Sequence, residues 1–161
     1  MLSDALLQEA GALLDACRSK SIRLATAESC TGGLLAAALT EGAGASDVFD
    51  RGFVTYSNRA KHDLLGVPSE LIAEHGAVSR DVACAMAEGA LRNADAAIAV
   101  SITGVAGPNG GTADKPVGVV CFGLAQIGVA VVSEQHIFSG DRAAVRSAAV
   151  AHAIAMIRAR T

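Results

Sequence analysis

Hydrophobic positions along the chain alternate between a three-to-four-residue spacing and unbroken apolar runs, which predicts helices interleaved with buried strands. Leu6, Leu7, Ala10, Leu13, Leu14 and Cys17 recur at helical spacing over residues 4–19 and predict an amphipathic first helix. Residues 22–27 have the β-branched and apolar character of a buried strand, and Leu34 to Leu39 is a run of strong helix formers. Residues 48–56 read as a second strand, 57–65 as a short helix stopped by Gly66 and Pro68, and 69–74 as another short helix. Ser79 stands where it would cap a long alanine-rich helix over residues 80–93. The continuous apolar run of residues 96–102 predicts a central strand covered on both faces. Two β-rich runs, 117–125 and 129–138, are separated by Gln126-Ile127-Gly128 and predict a hairpin. Asp141 then caps a last helix over residues 142–159, whose apolar side includes Val145, Ala149, His152, Ile154 and Ile157.

This order predicts one domain over residues 1–161: a three-layer α/β/α sandwich with a mixed, mostly parallel sheet and a C-terminal β-hairpin. At 161 residues and 52% hydrophobic content the chain can bury a full core. Aromatics make up only 3% and tryptophan is absent, so that core must come from Ala, Val, Leu and Ile. A net charge of -3 with both signs scattered argues against a nucleic-acid surface and favours a small-molecule partner. Cys17, Cys30, Cys84 and Cys121 lie far apart, so neither a zinc site nor a disulfide framework is expected among them. Reduced thiols, the lack of a basic segment before an apolar core at the N-terminus, and the lack of a membrane-length apolar run together predict a soluble cytoplasmic protein.

The chemistry centres on Thr26-Ala27-Glu28-Ser29-Cys30-Thr31-Gly32-Gly33, where a strand stops and a helix begins. A side chain at such a turn projects from the carboxyl edge of a sheet, and the first-turn N–H groups of the helix are candidate donors to a phosphate or an oxyanion. The purely structural alternative makes Ser29 or Thr31 the helix cap. A serine nucleophile needs a base. His62, His75, His136 and His152 each read as surface or satisfied core residues, whereas Lys61 falls just after the second strand, near Tyr56. A lysine serves as a base only where burial or a nearby cation lowers its pKa. Ser57 lies four residues before Lys61 but more naturally caps that helix, and Cys30 ranks below Ser29 without a histidine beside it. The loop from Thr103 through Gly104 to Thr112 lets backbone approach a ligand, but it matches neither a Walker A loop nor G-x-G-x-x-G. Arg142, beside Asp141, is a candidate to hold a phosphate or carboxylate.

Taken in order, several blocks resemble the CinA C-terminal domain family, which includes the nicotinamide-nucleotide amidohydrolases. They are Ala27 to Gly33; Gly52 to Asn58 with Lys61; His75 to Ser79; Thr103 to Pro108 with Gly110-Gly111; Lys115 to Gly118; and Phe138 to Arg142. The larger N-terminal domain that some members carry is not in this sequence, so the resemblance implies the stand-alone form. It also implies hydrolysis of the carboxamide of nicotinamide mononucleotide to nicotinic acid mononucleotide and ammonia, in pyridine nucleotide recycling, without a metal or redox cofactor. Under that resemblance Ser29 is the nucleophile and Lys61 its base, Tyr56 and Thr103 orient the dyad or the substrate, and Cys30, Thr31, Gly32, Gly33, Ser46, Gly104 and Arg142 contact the substrate. Oxyanion donors are expected near Cys30 or Gly104, and the family resemblance implies a homodimer. The alternatives are a non-enzymatic nucleotide-binding or regulatory domain, and an amidase for another small amide.

Overall fold

Four helices start on the side chains that their sequence positions favour. Ser3, Ser57, Ser79 and Asp141 accept hydrogen bonds from the N–H groups of Leu6, Ala60, Val82 and Ala144, three residues on. Each bond satisfies a first-turn donor that would otherwise lack a partner. In the computed structural model, which describes residues 2–161, these helices are α1 (Asp4–Ser19), α3 (Asn58–Leu65), α5 (Arg80–Arg92) and α6 (Arg142–Arg158). Two short helices, α2 (Leu34–Thr40) and α4 (Ser69–His75), and a 3-10 turn at Ala45–Asp47 complete the helical elements.

The strands are β1 (Leu24–Glu28), β2 (Phe49–Val54), β3 (Ile98–Gly104), β4 (Val119–Gln126) and β5 (Val129–Ile137), in the sheet order β2-β1-β3-β4-β5. β1 pairs in parallel with both β2 and β3, while the β3–β4 and β4–β5 pairings are antiparallel, so the sheet is mixed and ends in the expected hairpin. The first strand begins two residues later than its apolar pattern suggested. The Ile22 N–H still closes the end of α1 on the Cys17 carbonyl, and Ser21 sits in the left-handed region at φ 53°. The strand also runs one residue further, because Glu28 pairs with Val54 on one side and Ile102 on the other.

Helices cover both faces. Leu13, Leu14, Leu35, Leu39, Val145, Ile154 and Ile157 pack with Ile98, Val100 and Phe122 on the side of α1, α2 and α6. Leu65, Ile72, Val82 and Met86 pack with Ala25, Ala27 and Ala99 on the side of α3, α4 and α5. Three-layer packing is thus achieved with few aromatics, because alanine-rich faces let helices lie close to the sheet. No helix among the described residues is long and apolar enough to cross a membrane.

The contact between α3 and α5 holds the segment that carries Lys61. A Cβ at Gly89 would overlap the Leu65 carbonyl oxygen, and the Arg92 guanidinium donates to that same oxygen at 3.2 Å. Gly89→Ala is therefore expected to cost about 1–3 kcal/mol through overpacking. Gly11→Ala, where an added Cβ meets nothing within 4 Å, should be neutral or stabilising because alanine is the better helix former. Thermal unfolding of the two variants should shift in these different senses; equal shifts would refute the close contact.

Candidate active site

β1 delivers Ser29 to the carboxyl edge of the sheet. Its N–H donates to the Ile102 carbonyl at 2.9 Å, which extends the β1–β3 ladder by one bond, and the chain then turns as the Gly32 N–H returns to the Ser29 carbonyl at 3.0 Å. Gly32 and Gly33 have φ values of 59° and 95°, a region that an L side chain strains to occupy. Ser29 does not cap α2, and neither does Thr31. The N-cap is Gly33, and the buried Glu28 carboxylate reaches across the turn to accept from the Leu35 and Ala36 N–H groups at 2.9 and 3.0 Å. Two consequences follow. The Ser29 hydroxyl is free for other chemistry, and the first-turn donors of α2 expected to face a ligand are already occupied. The N–H groups of Thr31 and Gly33 have no backbone acceptor among the described residues and are the donors left in this turn, while the Cys30 N–H faces its own thiol.

Lys61 comes from α3, on the other side of β1. Its side chain is 1% exposed, and Nζ donates to Ser29 Oγ at 2.9 Å and to the Thr55 carbonyl at 2.7 Å. No carboxylate lies within ion-pair reach of it among the described residues. Burial removes the water that stabilises an ammonium ion, and it lowers the Lys61 pKa from 10.5 to about 8. At pH 7 about a tenth of such a group is neutral, against a negligible fraction for an exposed lysine. Held by one N–H on the Thr55 carbonyl, the neutral amine can turn its lone pair toward the Ser29 hydroxyl. The neighbouring Cys30 thiol is pushed up to about 11, chiefly by burial, so it remains protonated near neutrality and is a poor competitor for the nucleophile.

Arg142, at the start of α6, donates to the Tyr56 hydroxyl at 2.9 Å and to the Gly107 carbonyl at 2.8 Å. It therefore ties the end of β2 to the glycine-rich loop, and it lies near enough to Cys30 to oppose the burial of that thiol. Tyr56 is exposed and contacts Arg142 rather than the dyad. The Thr103 hydroxyl donates to the Ala77 carbonyl at 2.9 Å, anchoring the end of β3 to the loop before α5, one residue beyond the carbonyl that holds Ser29. Gly104 serves close packing, since a Cβ there would come within 2.8 Å of the Val119 carbonyl oxygen. Ser46 is not brought to the dyad within one chain. It precedes Val48, whose carbonyl accepts from Leu24, so it lies at the opposite end of β1, roughly 16 Å along the strand direction.

Arg146 joins this group although sequence reasoning passed over it. It lies one turn beyond Arg142, and it donates to the Thr31 carbonyl at 2.9 Å. Its Nε is buried without a hydrogen-bond partner among the described residues. The i,i+4 spacing from Arg142 was the available signal, because residues so spaced share a helix face. The four histidines are elsewhere: His62 meets the Val67 carbonyl, His75 lies by Asp81, and His136 and His152 contact Glu134.

A serine hydrogen-bonded to a buried lysine at the carboxyl edge of a three-layer α/β/α sheet defines the structural class. The chain belongs to the CinA C-terminal domain family, whose sequence profile matches residues 7–161. Over 138 residues it is 54% identical to the nicotinamide-nucleotide amidohydrolase PncC of Enterobacter agglomerans, covering 86% of this chain and 82% of that protein. It is 52% identical over 140 residues to a CinA-like protein of Syntrophobacter fumaroxidans, with 87% of this chain matched but only 33% of that longer relative. Among solved structures, the competence/damage inducible protein CihA from Agrobacterium tumefaciens superposes with a TM-score of 0.96 at 43% identity, covering 99% of this chain and 97% of that one.

The buried lysine sets a sign for stability against pH. Below about pH 8 both the folded and unfolded chains carry the charge, and the folded state bears the full desolvation cost. Between about 8 and 10.5 the folded chain has lost the proton while the unfolded chain keeps it, so the cost diminishes as pH rises. Relative to Lys61→Met, the wild type should therefore gain melting temperature as pH increases across that window. A difference that is flat with pH would contradict the depressed pKa.

Proposed function

We propose that this chain hydrolyses the carboxamide of nicotinamide mononucleotide to nicotinic acid mononucleotide and ammonia, with Ser29 as nucleophile and Lys61 as its base. The observation that carries the reading is the 2.9 Å hydrogen bond between a fully buried, charge-destabilised Lys61 Nζ and Ser29 Oγ. The substrate comes from relatives named nicotinamide-nucleotide amidohydrolase that match most of this chain.

Neutral Lys61 takes the Ser29 hydroxyl proton as Oγ attacks the amide carbon. The oxyanion that forms is met by the unoccupied N–H groups of the Cys30–Gly33 turn. Lys61, now an ammonium still held by the Thr55 carbonyl, gives its proton to the departing ammonia. A water deprotonated by the same lysine then cleaves the acyl-enzyme and returns Ser29. Arg142 holds the phosphate monoester, with Tyr56 orienting its guanidinium, and Arg146 supports the turn through the Thr31 carbonyl. The four unpaired cysteines suit a reducing compartment, which supports a cytoplasmic enzyme. Exposed Val54 and Tyr56 at the β2 edge support a homodimer, whose mass light scattering would report directly.

Ammonia release from nicotinamide mononucleotide tests the reading. Ser29→Ala and Lys61→Met should each lose at least about a thousandfold in kcat while retaining the native circular dichroism spectrum. Arg142→Gln should mainly raise KM, by about tenfold or more. Folded wild type without ammonia release would refute the activity, and a Ser29→Ala variant that keeps most turnover would refute the dyad.

A further inference from the structure

At the far edge of the sheet, three potential ligands converge outside the serine–lysine site. Glu134 and His136 are two residues apart on β5 and so point to the same face, toward α6, which contributes His152. His136 Nε2 and His152 Nε2 both lie against Glu134 Oε2, at 2.9 and 2.8 Å. An ionised carboxylate only accepts, so in this arrangement both imidazoles present Nε2–H to a single oxygen. Phe122 braces the pair, with its ring edge-on to His136 at 6.0 Å and tilted against His152 at 4.6 Å, and the two imidazole centroids are 4.1 Å apart. The ligand atoms all lie within 4.8 Å of one another, and the three side chains are only partly buried.

We propose that Glu134, His136 and His152 form a binding site for Zn²⁺ or a similar borderline divalent ion. Tetrahedral zinc with ligand bonds of about 2.0–2.1 Å separates its ligand atoms by roughly 3.3 Å, so the two Glu134–histidine contacts open by about half an ångström and the imidazole nitrogens, within 4.8 Å of each other, adjust to the same spacing. On binding, each neutral imidazole moves its proton from Nε2 to Nδ1, and the freed Nε2 lone pairs join one Glu134 oxygen on the metal. Water completes the fourth position. Two imidazoles and one carboxylate favour zinc, cobalt or nickel over magnesium and calcium, which prefer all-oxygen sites. The site lies three strand spacings from β1, roughly 14 Å, and takes no part in the proposed hydrolysis. Its effect is to pin the edge strand β5 to α6, the helix whose first turn carries Arg142.

The test uses the full chain stripped of metal and titrated with Zn²⁺ by calorimetry, then with Co²⁺ by visible absorption. The expected result is one equivalent bound, a cobalt spectrum of nitrogen and oxygen ligation, and a raised melting temperature. His152→Gln and, as an independent second variant, Glu134→Gln should each weaken binding at least tenfold and abolish the cobalt band. No uptake by the folded wild type, uptake unchanged in both variants, or a thiolate charge-transfer band from the cysteines would overturn the assignment.

Discussion

The site depends on a lysine kept dry with no counter-ion among the described residues. Lys61 Nζ has the Ser29 hydroxyl and the Thr55 carbonyl as its partners, and neither compensates a full charge as a carboxylate would. An ion pair at this position would have held the amine protonated and useless as a base. Burial alone moves the pKa in the useful direction, and the surrounding structure bears the cost.

Much of the fold can be understood as the means of keeping that geometry. β1 ends where its partners on both sides still pair, so Ser29 leaves a rigid ladder, held by the Ile102 carbonyl. Glu28 satisfies the first turn of α2 from below, which lets the residues between them stay small and leaves the serine uncommitted. On the other side, α5 clamps the end of α3 at Leu65, fixing the helix from which Lys61 reaches inward. Arg142 and Arg146, one turn apart on α6, close the third side by gripping the Gly107 and Thr31 carbonyls. Four separate segments thus meet at one sheet edge, as expected where parallel strands present their carboxyl ends.

The architecture was legible because it is written in local rules. Apolar periodicity and capping side chains located the helices, and the run from Ala96 marked the central strand. What escaped depended on contacts between segments distant in sequence. Proximity along the chain offers Ser29 or Thr31 as an alternative cap of α2, whereas Glu28 performs that role from within the strand because the two glycines fold the chain back over it. The burial of Lys61 was equally invisible, since its neighbours along α3, Arg59, His62 and Asp63, make the segment look solvated. Ser46 could have been placed better: a parallel crossover must return the chain to the start of the sheet before β2 begins, which carries that residue away from the Ser29 edge. Thr103 does lie beside Ser29 across the ladder, yet its hydroxyl is engaged with Ala77.

The most direct test of the central claim is the pH dependence of kcat/KM for ammonia release from nicotinamide mononucleotide. A free enzyme whose base is Lys61 should show activity rising tenfold per pH unit on the acid side and levelling near pH 8, where the amine becomes neutral. A limb that levels near 6 would point to a histidine, and one that keeps rising to 10 would mean that burial does not depress the lysine; either result would contradict the account.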